Sequence, residues 1–204
     1  MTPLRPVESR QLPLRFDSAR MAAELEGFGA ADWTAHFVHD NYEGEWSVVP
    51  LRAARGATHP LRMIYADPGC TDFVDTPYLA RCPYLRQVLA AFLCPLRSAR
   101  LMRLAAGSRI KEHCDPGLDI DHATVRLHVP VTTNPDVEFH VNGVRVDMAA
   151  GTAWYLRLTD PHRVVNRGPS DRIHLVIDAE LNAWLAGMLA PCISAEESDL
   201  RERS

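Results

Sequence analysis

The stretch VRLHVPV, residues 125–131, alternates basic side chains with aliphatic ones, and RIHLVID, residues 172–178, begins with the same order. Side chains two residues apart on a strand point to the same face of a sheet. Arg126 and His128 therefore share one face, as do the arginine and histidine of the second stretch, while the aliphatic side chains point the opposite way. Two such strands predict a polar barrel interior wrapped in an apolar outer layer.

Short strands separated by turn residues surround these two stretches from residue 98 onward. Asn142-Gly143 between two short apolar runs predicts a tight hairpin with a type I′ turn. Strands at this regular spacing predict a mainly β fold, a sandwich or barrel of about seven or eight strands with helices packed outside. The predicted strands cover residues 99–104, 124–131, 138–141, 144–146, 152–158 and 171–178.

Residues upstream of 98 show a mixed pattern. Apolar residues at the i, i+3, i+4, i+7 spacing of one helix face indicate a helix there, with a proline to stop it. The predicted elements are a helix from Asp17 or Ser18 to about Gly27, a strand over 46–51, and a helix over 85–92 that Pro95 ends.

The length of 204 residues is that of one domain. We divide this domain into helix and strand support over 1–97, a β core over 98–178, and a C-terminal helix and tail over 179–204. The formal net charge of −4 and scattered arginines give no electrostatic footprint for nucleic acid and no polybasic membrane patch.

The N-terminus lacks the apolar core of a signal peptide, and no apolar run of about 18 residues occurs, so we expect a cytoplasmic protein. The five cysteines include no CxxC pair, which favours reduced thiols over a disulfide framework or a zinc ribbon. Cys114 is either a small side chain that packs outward or, lying within the metal motif described next, a residue open to oxidation.

His113-Cys114-Asp115 is a His-x-Asp pair, which can supply two of the three protein ligands of a facial iron site. Residues i and i+2 at a strand end point the same way, so both side chains can reach one metal. The pair proves little alone, because nine histidines and 15 aspartates in this chain predict about 0.7 such pairs by chance.

Residues later in the chain support the interpretation of this pair as metal ligands. His162 lies 49 residues after His113, beyond a predicted strand and a turn, where a third ligand is needed. Arg172 follows ten residues later, and arginine can hold an anionic co-substrate through two parallel hydrogen bonds. A structural alternative exists for each basic residue: His128 and His174 suit a core, and Arg126 could form a plain salt bridge with an aspartate. The candidate aspartates are Asp119, Asp121 and Asp178.

Residues 103–178, with HCD, VRLHVPV, GTAWYLRLTDPHRV and RIHLVID in this order, resemble the aspartyl/asparaginyl β-hydroxylase family. The bacterial branch, which includes proline hydroxylases acting on the free amino acid, is the more similar one. The resemblance extends weakly to the Trp-containing segment Gly44–Ser47.

The resemblance implies a double-stranded β-helix of the jelly-roll, cupin-like type and an Fe(II)- and 2-oxoglutarate-dependent dioxygenase that releases succinate and CO₂. His113, Asp115 and His162 would bind Fe(II), which leaves room for 2-oxoglutarate and O₂. Arg172 would hold the distal carboxylate of 2-oxoglutarate. Arg126 and His128 would be carboxylate-binding or pocket residues, and Trp46 would line the same cavity.

Two other functions remain open: a metal-dependent cupin-like isomerase or dioxygenase that does not use 2-oxoglutarate, and a catalytically silent binding module. Only 26 residues follow Asp178, whereas relatives that act on free amino acids carry a larger C-terminal extension. This difference favours an open pocket and a peptidyl, carrier-bound or larger amino-acid substrate.

Residues 115–122 beside the metal motif are predicted to form a lid, with Pro116-Gly117 as its hinge. The sequence does not fix the oligomeric state.

Overall fold

The computed structural model of the protein describes residues 7–65 and 69–190. These residues form thirteen strands and five α-helices, joined by turns and short 3₁₀ segments. Within this part of the chain no helix is long and apolar enough to cross a membrane. The strands are β1 (Ser9–Arg15), β2 (Thr34–Ala35), β3 (Tyr42–Glu43), β4 (Trp46–Ala54), β5 (Phe73–Asp75), β6 (Leu96–Leu104), β7 (Arg109–His113), β8 (Thr124–Thr132), β9 (Val137–Val141), β10 (Val144–Arg145), β11 (Thr152–Leu156), β12 (His162–Asn166) and β13 (Arg172–Glu180). The helices are α1 (Ser18–Leu25), α2 (Pro60–Ile64), α3 (Pro77–Ala80), α4 (Pro83–Ala90) and α5 (Ala183–Leu189).

The strands form two antiparallel sheets. The major sheet has the order β1-β11-β8-β13-β6-β4-β2, with β5 also paired to β4, and the minor sheet has the order β10-β9-β12-β7-β3. Apolar side chains of both sheets meet in one buried cluster, which includes Val48 and Leu104 of the major sheet and Ile110 and Phe139 of the minor sheet. The predicted double-stranded β-helix is confirmed, and its eight core strands, β6 to β13, agree with the seven or eight expected.

The outer face of the major sheet is covered by helices. Val125, Leu127 and Val129 of β8 lie in the same buried cluster as Leu85 and Leu89 of α4. Ile173, Leu175 and Ile177 of β13 join this cluster, whereas the basic residues of β8 line the interior cavity. The predicted apolar outer layer is therefore confirmed, whereas the interior combines the basic residues with the apolar cluster between the two sheets. Each fully buried aliphatic side chain contributes roughly 1.5–3 kcal/mol to this packing.

Local geometry confirms some sequence predictions and corrects one. Asn142 and Gly143 have φ of 51° and 76°, as a type I′ turn between β9 and β10 requires. The predicted helix over 85–92 ends earlier, at Ala90. The N–H of Phe92 bonds to the carbonyl of Leu89, so the last turn tightens into 3₁₀ geometry before Pro95 is reached.

The N-terminal part contains a strand that was not predicted. β1 pairs with β11 at the edge of the major sheet, and its register shifts between Gln11 and Arg15, around Pro13. A proline cannot donate to the ladder and is tolerated on an edge strand, which is why this segment does not show an ordinary strand pattern. The division of the chain at residues 97 and 178 stays a prediction, and the predicted tail after residue 190 lies outside the described residues.

Four of the five cysteines lie within the described residues, and all four are free thiols: Cys70, Cys82, Cys94 and Cys114. Cys114 is exposed. Cys192 lies outside the described residues.

Candidate metal and carboxylate site

Two of the three predicted metal ligands lie on neighbouring strands of the minor sheet, and the third, Asp115, follows the end of one of them. His113 ends β7 and His162 begins β12, and the two residues are paired across the ladder. Potential ligand atoms of His113, His162 and Asp115 all lie within 4.8 Å of one another. His113 Nε2 is 3.7 Å from Asp115 Oδ1. Two imidazole nitrogens and one carboxylate oxygen are the donor set of a facial Fe(II) site.

Both histidines are oriented by backbone carbonyls. His113 Nδ1 lies 2.8 Å from the carbonyl oxygen of Lys111, and His162 Nδ1 lies 3.0 Å from that of Asp160. A carbonyl oxygen only accepts, so Nδ1 carries the proton in each ring and Nε2 presents its lone pair. Burial lowers the pKa of His162 to about 4, which keeps the ring neutral at physiological pH. The residues present therefore fit a divalent metal.

Arg126 joins this group to a buried carboxylate. Its Nε and Nη2 donate to the two oxygens of Asp178 at 2.6 and 3.1 Å, and its Nη1 donates to Asp115. Asp178 also accepts from Arg100 and from the hydroxyl of Ser98. Burial alone would raise the pKa of Asp178, but Arg100 and Arg126 hold it well below its usual range. Arg126 is thus paired with Asp178, one of the three aspartates that the sequence left open, and it also contacts the candidate metal ligand Asp115.

Arg172 is buried without an ion-pair partner. It is 2% exposed, and among residues 7–65 and 69–190 no carboxylate lies within 4.0 Å of its nitrogens. Its Nη2 lies 2.7 Å from His174 Nδ1, its Cζ lies 5.7 Å from the centre of the Phe139 ring, and its Nε has no partner. Burial lowers the pKa of Arg172 to about 9. A desolvated guanidinium of this kind is an incomplete site for an anion.

Arg172 contacts His174, which in turn contacts His128. A guanidinium only donates, so His174 Nδ1 must accept from it. His128 Nδ1 lies 3.3 Å from the same atom and must therefore donate. Burial lowers the pKa of both histidines well below the usual value, so both rings are neutral.

A cavity of about 410 Å³ opens between the two sheets, within the usual size range of small-ligand sites. All seven predicted site residues line it: Trp46, His113, Asp115, Arg126, His128, His162 and Arg172. The structure adds Arg100 and His36, which the sequence reasoning missed. Arg100 carried a signal, since it is an arginine inside a predicted strand; His36 follows the two-residue strand β2 and carried none.

Asp119 ties together the loop that follows β7 and the loop that precedes β12. It is 1% exposed, and its Oδ1 accepts from His122 Nδ1 at 2.7 Å, while its Oδ2 accepts from the Thr159 hydroxyl at 2.7 Å. Burial alone would raise the pKa of Asp119, but the hydrogen bonds from Thr159 and His122 lower it to about 2. The far end of the predicted lid is therefore anchored by a charged carboxylate.

Replacing Asp119 by alanine is expected to lower the free energy of unfolding by about 3 kcal/mol, because the partly buried Thr159 hydroxyl and the backbone N–H groups of Asp121 and His122 lose their acceptor. Urea unfolding followed by circular dichroism measures this change. Asp121→Ala is the control, since the Asp121 side chain is 66% exposed, and should change stability by less than about 0.5 kcal/mol. Equal stabilities of the two variants would contradict the anchoring role.

The family to which the chain belongs follows from comparison with known proteins. The model of the aspartyl/asparaginyl beta-hydroxylase family matches residues 17–181. The chain belongs to this family. All seven predicted site residues fall within the matched range, and the family resemblance expected from the sequence motifs is confirmed.

One curated relative of this aspartyl/asparaginyl beta-hydroxylase family member is an L-proline cis-4-hydroxylase from Rhizobium meliloti (strain 1021). The two are 27% identical over 173 residues, which make up 84% of this chain and 60% of the relative. The chain therefore spans about three-fifths of the length of that relative.

Solved structures with a similar fold include a 2OG-Fe(II) oxygenase family oxidoreductase from Burkholderia pseudomallei, with a TM-score of 0.55, 18% identity and 87% of each chain covered. A prolyl-4-hydroxylase from Pseudomonas putida aligns with a TM-score of 0.50 and 16% identity, over 86% of this chain and 94% of the other. At this level of identity the likeness shows the fold of the aspartyl/asparaginyl beta-hydroxylase family member and nothing further.

Proposed function

We propose that this chain is an Fe(II)- and 2-oxoglutarate-dependent dioxygenase that hydroxylates an unactivated C–H bond of an amino acid or of an aminoacyl or peptidyl substrate. One oxygen atom of O₂ enters the product and the other enters succinate, with release of CO₂. The observation that carries the proposal is the buried guanidinium of Arg172, which has no carboxylate partner among the described residues and lies in the cavity that also holds the His113–Asp115–His162 group.

The metal would be held by His113, Asp115 and His162. Bound Fe(II), with 2-oxoglutarate and O₂, supplies the oxidising power that an unactivated C–H bond requires. The chain itself keeps both imidazoles in the ligating tautomer through their Nδ1 contacts with carbonyl oxygens. Arg126 holds Asp115 by a hydrogen bond while it is itself fixed by Asp178.

A carboxylate of the co-substrate would neutralise the charge of Arg172, because the N–H donors of a guanidinium match the two oxygens of a carboxylate. His174 accepts from Arg172, and His128 donates to His174, so the two neutral rings orient the guanidinium. In this arrangement His128 supports 2-oxoglutarate through Arg172. Trp46 closes the same cavity from β4.

A cupin-like isomerase or dioxygenase without 2-oxoglutarate would need an anionic group of its own substrate to pair with Arg172. A silent binding module would have no need of the complete ligand set. An amino acid or aminoacyl substrate is supported by the relative described as an L-proline cis-4-hydroxylase. Peptidyl and carrier-bound forms of such a substrate fit a cavity that is open to solvent.

Anaerobic titration of Fe(II) into the protein with 2-oxoglutarate tests the proposal. The chelate has a weak visible charge-transfer band, which we expect in the wild type and not in His113→Ala. His39→Ala is the matched control, since His39 is exposed and does not line the cavity. Absence of the band in the wild type, or an unchanged band in His113→Ala, would refute the proposed function.

A further inference from the structure

Four side chains form an aromatic wall along one side of the cavity: Trp46, His36, Phe37 and Tyr65. The rings of Trp46 and His36 are stacked, with centroids 3.6 Å apart and planes inclined by 10°. Phe37 continues the stack at 4.8 Å and 18° from His36, and Tyr65 meets Phe37 edge-on at 5.9 Å. The aromatic wall therefore reaches from the β4 strand to the end of α2.

The outer half of the aromatic wall is in contact with solvent. Trp46 is 7% exposed, but Phe37 is 38% and Tyr65 is 48% exposed, and these two are among the most exposed large apolar residues of the described chain. Core packing accounts for Trp46 and does not account for the other two. Exposed aromatic rings that line a cavity beside catalytic ligands are in the right place to contact a ligand.

The aromatic wall is also held in position before any ligand binds. The N–H of His36 donates to the carbonyl of Trp46 at 2.8 Å, and the N–H of Val38 donates to His36 Nδ1 at 3.3 Å. The hydroxyl of Tyr42 donates to the carbonyl of His36 at 3.3 Å. A preformed surface loses little conformational freedom on binding, which favours affinity for a flat partner.

The charged and the aromatic residues that line the cavity come from different elements of the fold. Arg100 on β6, Arg126 on β8 and Arg172 on β13 belong to the middle strands of the major sheet. The aromatic wall comes instead from β4, from the segment after β2 and from the residue after α2. A ligand that contacts both groups of residues has a polar part and an apolar part.

We propose that the aromatic wall binds a bulky apolar group of the substrate, so that the substrate is an amino acid or aminoacyl compound with a large apolar side chain or acyl group. The inference rests on the proposed function and specifies its substrate class. A small amino acid would leave Phe37 and Tyr65 in water, whereas a ring or long aliphatic group covers them and gains contact with the stack.

Calorimetric titration under anaerobic conditions tests the substrate class with two matched pairs of probes, L-alanine against L-phenylalanine and glycine against N-benzoylglycine. The protein carries Fe(II) and 2-oxoglutarate. In each pair the probe with the ring is expected to bind about tenfold or more tightly. Phe37→Ala should remove most of that preference and Phe37→Leu should restore part of it, while Leu93→Ala, at an exposed residue that does not line the cavity, should retain it.

Equal affinities within both pairs in the wild type, or equal effects of Phe37→Ala and Leu93→Ala, would overturn the substrate class. The dissociation constant of 2-oxoglutarate is measured in the same samples. Normal 2-oxoglutarate binding without a preference for ring-bearing probes refutes the aromatic wall alone. Failure to bind 2-oxoglutarate refutes the proposed function, and titration of the unloaded protein with the same probes then still decides whether the aromatic wall binds apolar groups.

Discussion

Replacing Arg172 by methionine is expected to raise the dissociation constant of 2-oxoglutarate by about 100-fold or more, because the co-substrate loses a charge-assisted, bidentate partner in a desolvated site. The same substitution should leave the fold as stable as the wild type or make it more stable. Arg172 is buried without a carboxylate partner among the described residues, so methionine removes an uncompensated charge at nearly constant volume.

The opposite signs of these two effects make the Arg172→Met result informative. Binding is measured anaerobically from the charge-transfer band, and stability from urea unfolding without ligands. Arg172→Lys should bind 2-oxoglutarate with intermediate affinity, since lysine keeps the charge but lacks the planar fork. Arg163→Met, at a half-exposed arginine on β12, is the control. A normal dissociation constant in Arg172→Met would exclude this residue as the carboxylate partner.

The fold could be predicted from strand alternation because the major sheet buries an outer face against helices. Val125, Leu127 and Val129 show the period of two for this reason, with Arg126 and His128 between them. β1 and β2 could not be predicted in the same way. β2 has two residues, and β1 is an edge strand with Pro13 inside it, so neither presents a repeating apolar face.

The candidate site could be predicted as far as its members lie on a strand or directly after its end. His113, Asp115, His162 and Arg172 meet this condition, and the structure places all four around one cavity. The partners of Arg126 were left open between three aspartates, because a salt bridge depends on tertiary distances. His36 could not be predicted, since its position comes from a loop that packs on Trp46.

Replacing Asp178 by asparagine is expected to lower the free energy of unfolding by about 3–5 kcal/mol, because it leaves two buried arginines without their shared carboxylate. Arg100 is 5% exposed, and the side chain of Arg126 is 13% exposed. Asparagine has nearly the same volume as aspartate but carries no charge and has one acceptor oxygen. The orientation of the Asp115 carboxylate should change as well, since Arg126 donates hydrogen bonds to both aspartates.

The role of Asp178 also gives a pH dependence with a defined sign. Its folded pKa lies well below the unfolded value of about 4, so its contribution to stability is complete above pH 4 and is lost as the pH falls. The free energy of unfolding of the wild type should therefore decrease as the pH falls below about 4. In Asp178→Asn it should depend less steeply on pH in the same range. The positive charges of Arg100 and Arg126 outweigh the effect of burial and lower the pKa, and hydrogen bonds from Arg126 and Ser98 to the ionised carboxylate add to this effect.

Urea unfolding at pH 7 and at a series of acidic pH values measures both effects of Asp178→Asn. Asp171→Asn is the matched control, since the Asp171 side chain is 41% exposed and lies 4.0 Å from Arg103, so its loss should cost less than about 1 kcal/mol. A stability of Asp178→Asn within about 1 kcal/mol of the wild type at pH 7 would show that the two arginines find other partners. In that case the position of Arg126 beside Asp115 would not depend on Asp178. Asp178 would then not be the group that holds Arg100 and Arg126 next to each other.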